Sequence, residues 1–477
     1  MAKKNALILC SILLVSWIFL LEAAVCSAFS LEDEKKLGKE TYEHLEKNQA
    51  LMKNDRTVEY INRIGNRILA QSDKLPFEYR FSIIRSSAIN AFATPGGYVY
   101  LNRGLINLAE NESQLAGVLA HEIAHVNARH IADSIQKAKR VSMATLAGML
   151  AGVLLGGGGD LTAGMISMSA AAGASASLRY SREHEEEADR LGMLYLTKAG
   201  YDPKSMLDFL RIMRRFEYYS SNVPSYFLTH PGTDERVRYL DAAIQTIYTT
   251  PGHESIEGGF KRIKTILLII GSRNQEQNRR TFEEGLKKNP NDVDDLYGLA
   301  VTEAKLGRTD EALKHFRRAL TLAPRDKDIL GDTGITYVVA GRPDEALPFL
   351  QESVALNSDD PEVYLFLAKA HEARGEMQQA IAALRQMEKR NIEDDDWYYN
   401  IAMIYGKAHN LWESHYYFGQ YFKKKNRKES ALFHFKAALK HAPPDDTRIQ
   451  EIEKVIGEMD KKRNGSPGEG KAPEKGR

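Results

Sequence analysis

The sequence predicts a mostly α-helical chain in two parts: a helical domain enclosing a small β-sheet, then a solenoid of paired helices. Three observations predict it. Apolar residues recur at helical spacing along much of the chain. Period-two alternation is confined to residues 79–101, punctuated by Pro76 and Pro95-Gly96-Gly97. Beyond residue 259 the pattern repeats every 34 residues. A length of 477 residues calls for two or more domains, and 43% apolar with 27% charged residues is a soluble globular composition. The net charge of +1 gives no reason to expect nucleic acid as a partner.

Lys3 and Lys4, the apolar run from Ala6 to Leu21, and Cys26-Ser27-Ala28 have the layout of a signal peptide over residues 1–28, cleaved before Phe29. A retained anchor and a lipidated Cys26 are the alternatives. The run is at the short end for a membrane span, and Val25 suits a lipidation site poorly. Cleavage removes Cys10 and Cys26 together, leaving a thiol-free chain that tolerates an oxidising compartment.

From Leu31 to Ser72 the spacing of Leu37, Leu45, Ile61, Ile64 and Ile68 is helical, and Tyr79–Ile84, Ile89–Ala93 and Tyr98–Leu101 read as strands. Asn111 caps a helix expected from Glu112 to about Lys139, apolar enough to be buried. Residues 143–178, small and apolar around four consecutive glycines, read as a helical hairpin beside the site. The other reading is a membrane dip, since each half is too short to span. Ser181 opens an acidic helix, Ser225–Gly232 reads as a loop, and Asp234–Ala243 as a short helix. This outlines a first domain over 29–247, a linker over 248–258, repeats over 259–460 and a disordered tail over 461–477.

In the repeats, Gly307, Gly341 and Gly375 keep one register, as do Ala312, Ala346 and Ala380. Small and large residues at this period resemble the tetratricopeptide repeat, a pair of antiparallel helices. Ser414 stands where the next alanine is due, yet Ala431 and Phe435 restart the pattern 17 residues later. One helix, from about Leu411 to Lys425, would then serve two units. Upstream, Phe282 and Pro290 fit a degenerate first unit.

The stretch that carries chemistry is His121-Glu122-Ile123-Ala124-His125. Histidines four apart lie on one helix face, where two imidazoles can hold one zinc ion and the intervening glutamate can take a proton from the attacking water. The motif also arises by chance in helices. Burial of these polar groups favours the metal. Zinc needs a third ligand. Ile131 stands where a helix-borne third histidine of the metzincin pattern would be, and His130 projects to the opposite side of a continuous helix, as a structural or exposed residue. Glu185 on the second helix is the candidate, with Asp189 one turn on to receive the outer nitrogen of a ligating histidine. A solvated acidic helix start is the other reading of Glu183–Glu187.

Asn90-Ala91-Phe92-Ala93-Thr94-Pro95-Gly96-Gly97, the HExxH motif with His130 downstream, Tyr180-Ser181-Arg182-x-x-Glu185-x-x-Ala188-Asp189, and Thr229-His230-Pro231 together resemble the gluzincin family of HtpX and CAAX prenyl proteases. The resemblance implies a zincin-type metallopeptidase domain with one zinc ion on His121, His125 and Glu185, and Glu122 as general base. It makes Asn90, Ala91, Phe92 and Ala93 an edge strand that holds an extended substrate, and Arg182 a group orienting Glu185 or an oxyanion. It makes His230 a latch on the open zinc position. Joined to an export signal and repeats, it also implies a periplasmic protease with a chaperone role. Its substrates would be unfolded or misassembled proteins, its partners the outer-membrane assembly machinery, and its membrane contact non-spanning.

Overall fold

A computed structural model describes residues 29–137, 145–148, 150, 152, 180–219, 225–356, 360–387 and 395–464. The segment 1–28 expected to be a signal peptide, most of 143–178 and the end of the tail lie outside the described residues. The chain divides into two compact units at Leu267 and Leu268.

The first unit opens with α1 (Leu31–Lys47) and α2 (Asp55–Leu69), capped by Ser30 and Asn54. Strands β1 (Arg80–Ile84), β2 (Ala91–Thr94) and β3 (Tyr98–Asn102) form a sheet of order β1-β3-β2, with β1 parallel and β2 antiparallel to β3. After α3 (Arg103–Leu108) comes α4 (Glu112–Asn127), whose residues from Glu112 to Val126 are all buried, as its all-round apolar sequence requires. Helices α6 (Arg182–Lys198) and α7 (Lys204–Tyr219) pack on α4, and α8 (Ser225–Thr229) and α9 (Thr233–Thr246) follow. The core joins Ile61, Ile64 and Ile68 of α2, Phe81, Val99 and Leu101 of the sheet, Leu115, Leu119 and Ile123 of α4, and Met193 and Leu196 of α6.

Three local expectations change. The helix from Glu112 stops at Asn127; Arg129 turns the chain with φ 57°, and α5 (His130–Lys137) starts in a new direction. Arg129 is held in this left-handed turn by Glu34, 2.6 Å away, and by the Phe29 carbonyl, 2.7 Å away. Ser225–Thr229 is a short helix rather than loop. The third change concerns residues 248–258, which are bound into the first unit. Buried Glu112 accepts hydrogen bonds from Tyr60 Oη, Tyr201 Oη, Ser255 Oγ and the backbone N–H groups of Ile256, Glu257 and Gly258, all at 2.8–2.9 Å.

The second unit shares α10 (Phe260–Gly271) with the first at the boundary and continues as α11 (Gln275–Lys288), α12 (Val293–Lys305), α13 (Thr309–Leu322), α14 (Lys327–Val339), α15 (Pro343–Ala355), α16 (Pro361–Ala373), α17 (Met377–Arg385), α18 (Asp395–Lys407), α19 (Leu411–Lys424), α20 (Lys428–Leu439) and α21 (Arg448–Asn464). Helix α21 carries order to Asn464, past the expected start of the tail. Gly307, Gly341 and Gly375 end α12, α14 and α16 with φ of 76°, 73° and 78°. The same left-handed turn recurs at His409, 34 residues on, and at Asn426 after a further 17. Accordingly α19 packs against both α18 and α20, serving two units.

Burial opposes ionisation of Glu112, but its donors outweigh it and hold the carboxyl below its ordinary range. Its contribution is therefore complete above about pH 4.5 and is lost as pH falls through the lowered folded value. Glu112→Gln is expected to cost about 3 kcal/mol at neutral pH, because an amide cannot accept from all these donors. It is also expected to flatten the acid limb of stability, measured by urea unfolding of the full chain between pH 6 and 3.

Candidate metal centre

Helix α4 presents His121 and His125 one turn apart, with their Nε2 atoms 2.9 Å apart. Helix α6 lies close across this face because Gly192 has no side chain: a Cβ there would sit 3.1 Å from His121 Cα and backbone N. Its buried stripe of Glu185, Ala188, Asp189, Gly192 and Leu196 carries both carboxylates inward. Glu185 Oε2 lies 3.5 Å from His121 Nε2, and Glu185 Oε1 3.5 Å from His125 Nε2. His230, just after α8, enters the same space, with Nδ1 3.0 Å from Glu185 Oε1 and 3.4 Å from His121 Nε2. One donor atom from each of His121, His125, Glu185 and His230 lies within 4.8 Å of the others, and all four residues are buried.

The segment bearing His230 is tied on both sides. Tyr226 N donates to Ile89 O and Tyr180 N to Thr229 O, while His230 N closes the α8 turn onto Tyr226 O. The Tyr226 ring stacks on His230 at 4.2 Å and the Tyr180 ring on His125 at 3.7 Å.

These residues fit a zinc ion. Ligand bonds of about 2.0–2.2 Å in a tetrahedron imply ligand-to-ligand separations of about 3.3–3.6 Å. The observed separations of 2.9–3.5 Å are close to that. Both carboxylate oxygens of fully buried Glu122 lack a hydrogen-bond donor among the described residues, with His230 Nε2 3.5 Å from Oε1. Burial raises the Glu122 carboxyl despite the neighbouring histidines. The surroundings call for positive charge. Burial and Arg236 press His121 down, yet Asp189 and Glu185 pull it up to about 9. Burial, with His121 and the other neighbouring histidines, pushes His125 well below the imidazole range against the pull of Glu185.

A buried outer layer fixes the cluster. Asp189 Oδ1 lies 2.9 Å from His121 Nδ1, the place expected for it. Arg236 of α9 donates to Asp189 through Nε at 2.7 Å and Nη2 at 2.8 Å, and its Nη1 lies 2.6 Å from Glu185 Oε2. Tyr239 Oη also donates to Asp189. Against the cost of burial, Arg236 and the histidines hold the Glu185 carboxyl well below its usual range; Arg236 and His121 lower Asp189. Sequence reasoning missed Arg236. Its signal was an arginine on the apolar stripe Thr233, Arg236, Val237, Leu240.

One expected residue, Arg182, stands elsewhere, the segment Asn90 to Ala93 is buried, and His130 is closer than expected. Arg182 is exposed and pairs with Glu235 at 3.0 Å; Arg236 takes the place assigned to it beside Glu185. Asn90 to Ala93 lie at the sheet edge as expected, but buried, with Phe92 near Tyr180 at 6.4 Å. Ala93 and Thr94 line a small cleft with His125. His130 is neither exposed nor turned away: the break at Arg129 brings its Nδ1 within 2.8 Å of His125 Nδ1. Burial pushes the His130 imidazole down to about 4, against Glu187.

An HExxH helix, a buried glutamate brought to it by a second helix and a small mixed sheet define the zincin class of metallopeptidase domain. Residues 55–244 match the model of peptidase family M48, and residues 292–359 and 337–404 match tetratricopeptide repeat models, so the chain carries an M48 peptidase domain followed by tetratricopeptide repeats. Among curated relatives it is 38% identical over 213 residues to a putative beta-barrel assembly-enhancing protease of Vibrio cholerae, covering 44% of each chain. It is 31% identical over 292 residues to the beta-barrel assembly-enhancing protease of Yersinia pestis, covering 60% of this chain and 59% of that one. To the mitochondrial metalloendopeptidase OMA1 of Schizosaccharomyces pombe it is 29% identical over 215 residues, 44% of this chain and 61% of the relative. The chain thus spans about half the length of the curated relatives it matches.

Arg236→Met leaves two buried carboxylates without their cation and is expected to cost about 3–5 kcal/mol, read by urea unfolding. Arg236→Lys is expected to restore only part, because an ammonium cannot make the paired contacts to Asp189 while reaching Glu185.

Proposed function

We propose that the chain is a zinc-dependent endopeptidase of the exported compartment, cleaving unfolded or misassembled proteins, with its repeats docking substrates or partners. The observation that carries this reading is the buried quartet His121, His125, Glu185 and His230 beside an unpartnered Glu122. His121, His125 and Glu185 would hold the ion. Bound zinc supplies a Lewis acid that polarises the scissile carbonyl and lowers the pKa of water. Glu122, whose oxygens accept no hydrogen bond among the described residues, takes the water proton and passes it to the leaving amine. Strand β2, at the sheet edge beside His125, would align an extended substrate by backbone pairing, which favours unfolded segments over particular side chains.

The names of the bacterial relatives point to β-barrel assembly as the setting. Among the described residues no helix is long and apolar enough to cross a membrane. The repeats offer a docking surface in the aromatic run Tyr399, Phe418, His434 and Phe433, whose rings follow one another at 5.0–5.6 Å and of which Tyr399 and Phe433 are exposed.

A second reading, an assembly chaperone with a silent metal site, is favoured by His230, which fills the position a substrate carbonyl or water would need. In the first reading it is a latch. Glu122→Gln is expected to retain zinc and lose casein cleavage; undiminished cleavage would remove Glu122 as the base. His230→Ala is expected to raise casein cleavage with zinc retained, and an unchanged rate in that variant supports the chaperone reading.

A further inference from the structure

Each metal-binding histidine of α4 must present Nε2 to the ion, which places its proton on Nδ1 and requires an acceptor there. For His121 the acceptor is the Asp189 carboxylate. The Nδ1 of His125 meets no carboxylate. It faces His130 Nδ1 at 2.8 Å, inside the core.

Two imidazole nitrogens at this distance share one proton, so the direction of the bond is set by what each ring does with its other nitrogen. His125 Nε2 points into the quartet and must be bare, so Nδ1–H donates. His130 Nδ1 must then accept, which moves its own proton to Nε2. That atom lies 3.3 Å from Glu187 Oε2, an acceptor only. A single arrangement satisfies all three groups: His125 Nδ1–H to His130 Nδ1, and His130 Nε2–H to Glu187. The ring is also held flat. His184 stacks on it at 4.3 Å and 14°, and His184 Nε2 is anchored 3.1 Å from Asp133 Oδ2.

We propose that His130 is a positioning residue that fixes the tautomer and orientation of the metal ligand His125, doing through a neutral imidazole backed by Glu187 what Asp189 does for His121. The inference rests on the zinc reading above. It also gives the Arg129 turn a purpose, since an unbroken helix would carry His130 away from His125.

Zinc affinity, measured by chelator competition on the purified full chain, tests it. His130→Phe keeps an aromatic ring on His184 but offers no acceptor, and is expected to weaken zinc binding about 10–100-fold. His130→Gln, whose amide oxygen can accept from Nδ1–H, is expected to recover most of that loss. A merely structural role would not be rescued by an amide. Glu187→Ala, at a half-exposed position, keeps the test alive if His130→Phe does not fold, with a several-fold loss expected. Wild-type zinc affinity in His130→Phe, or in Glu187→Ala where His130→Phe does not fold, overturns the positioning role while leaving the zinc site standing. A wild-type chain that binds no zinc overturns both.

Discussion

The first unit depends on one guanidinium. Arg236 is buried between Asp189 and Glu185, and its three nitrogens serve both carboxylates. Without it, two negative charges would sit in the core a turn apart on one helix, and at least one would take up a proton. A protonated Glu185 is a poor ligand, and a protonated Asp189 cannot hold a histidine proton. Thus a residue from α9 lets α6 present both carboxylates to the HExxH helix.

Much of this was legible in the sequence, for reasons of spacing. His121 and His125 announce a shared face, and Glu185 with Asp189 repeats that spacing on a second helix. The repeat period gives the solenoid, and Ala431 and Phe435 give its half-step; left-handed turns recur every 34 residues at Gly307, Gly341, Gly375 and His409, then after 17 at Asn426. What was illegible depends on where the chain bends. His130 was misjudged because a helix was extended through Arg129, whose left-handed turn is enforced by Glu34 and Phe29, residues about a hundred positions away. The family resemblance assigns Arg182 to Glu185, and nothing in the sequence beyond its place on an apolar stripe singles out Arg236. Burial, which decides between them, comes from packing.

The site is closed by aromatic contacts as much as by charge. Tyr180 covers His125 and Tyr226 covers His230, and the backbones of both join the segment bearing the latch. Moving His230 would therefore mean unstacking a ring and breaking the main-chain hydrogen bonds from Tyr226 N to Ile89 O, next to β2, and from Tyr180 N to Thr229 O. The strand assigned to substrate and the histidine assigned to the latch are mechanically connected, so occupancy of one bears on the position of the other.

Glu112 has a practical consequence for anyone dividing the chain. The composition invites a cut near Pro251-Gly252, where turn residues cluster. A fragment ending there would strip the first residue of the HExxH helix of the four donors supplied by residues 255–258, and would expose the core faces that Phe260, Ile263 and Leu267 cover. The natural scissor line runs through the middle of a helix, beyond Leu267, and a peptidase fragment has to carry about two turns of α10 with it.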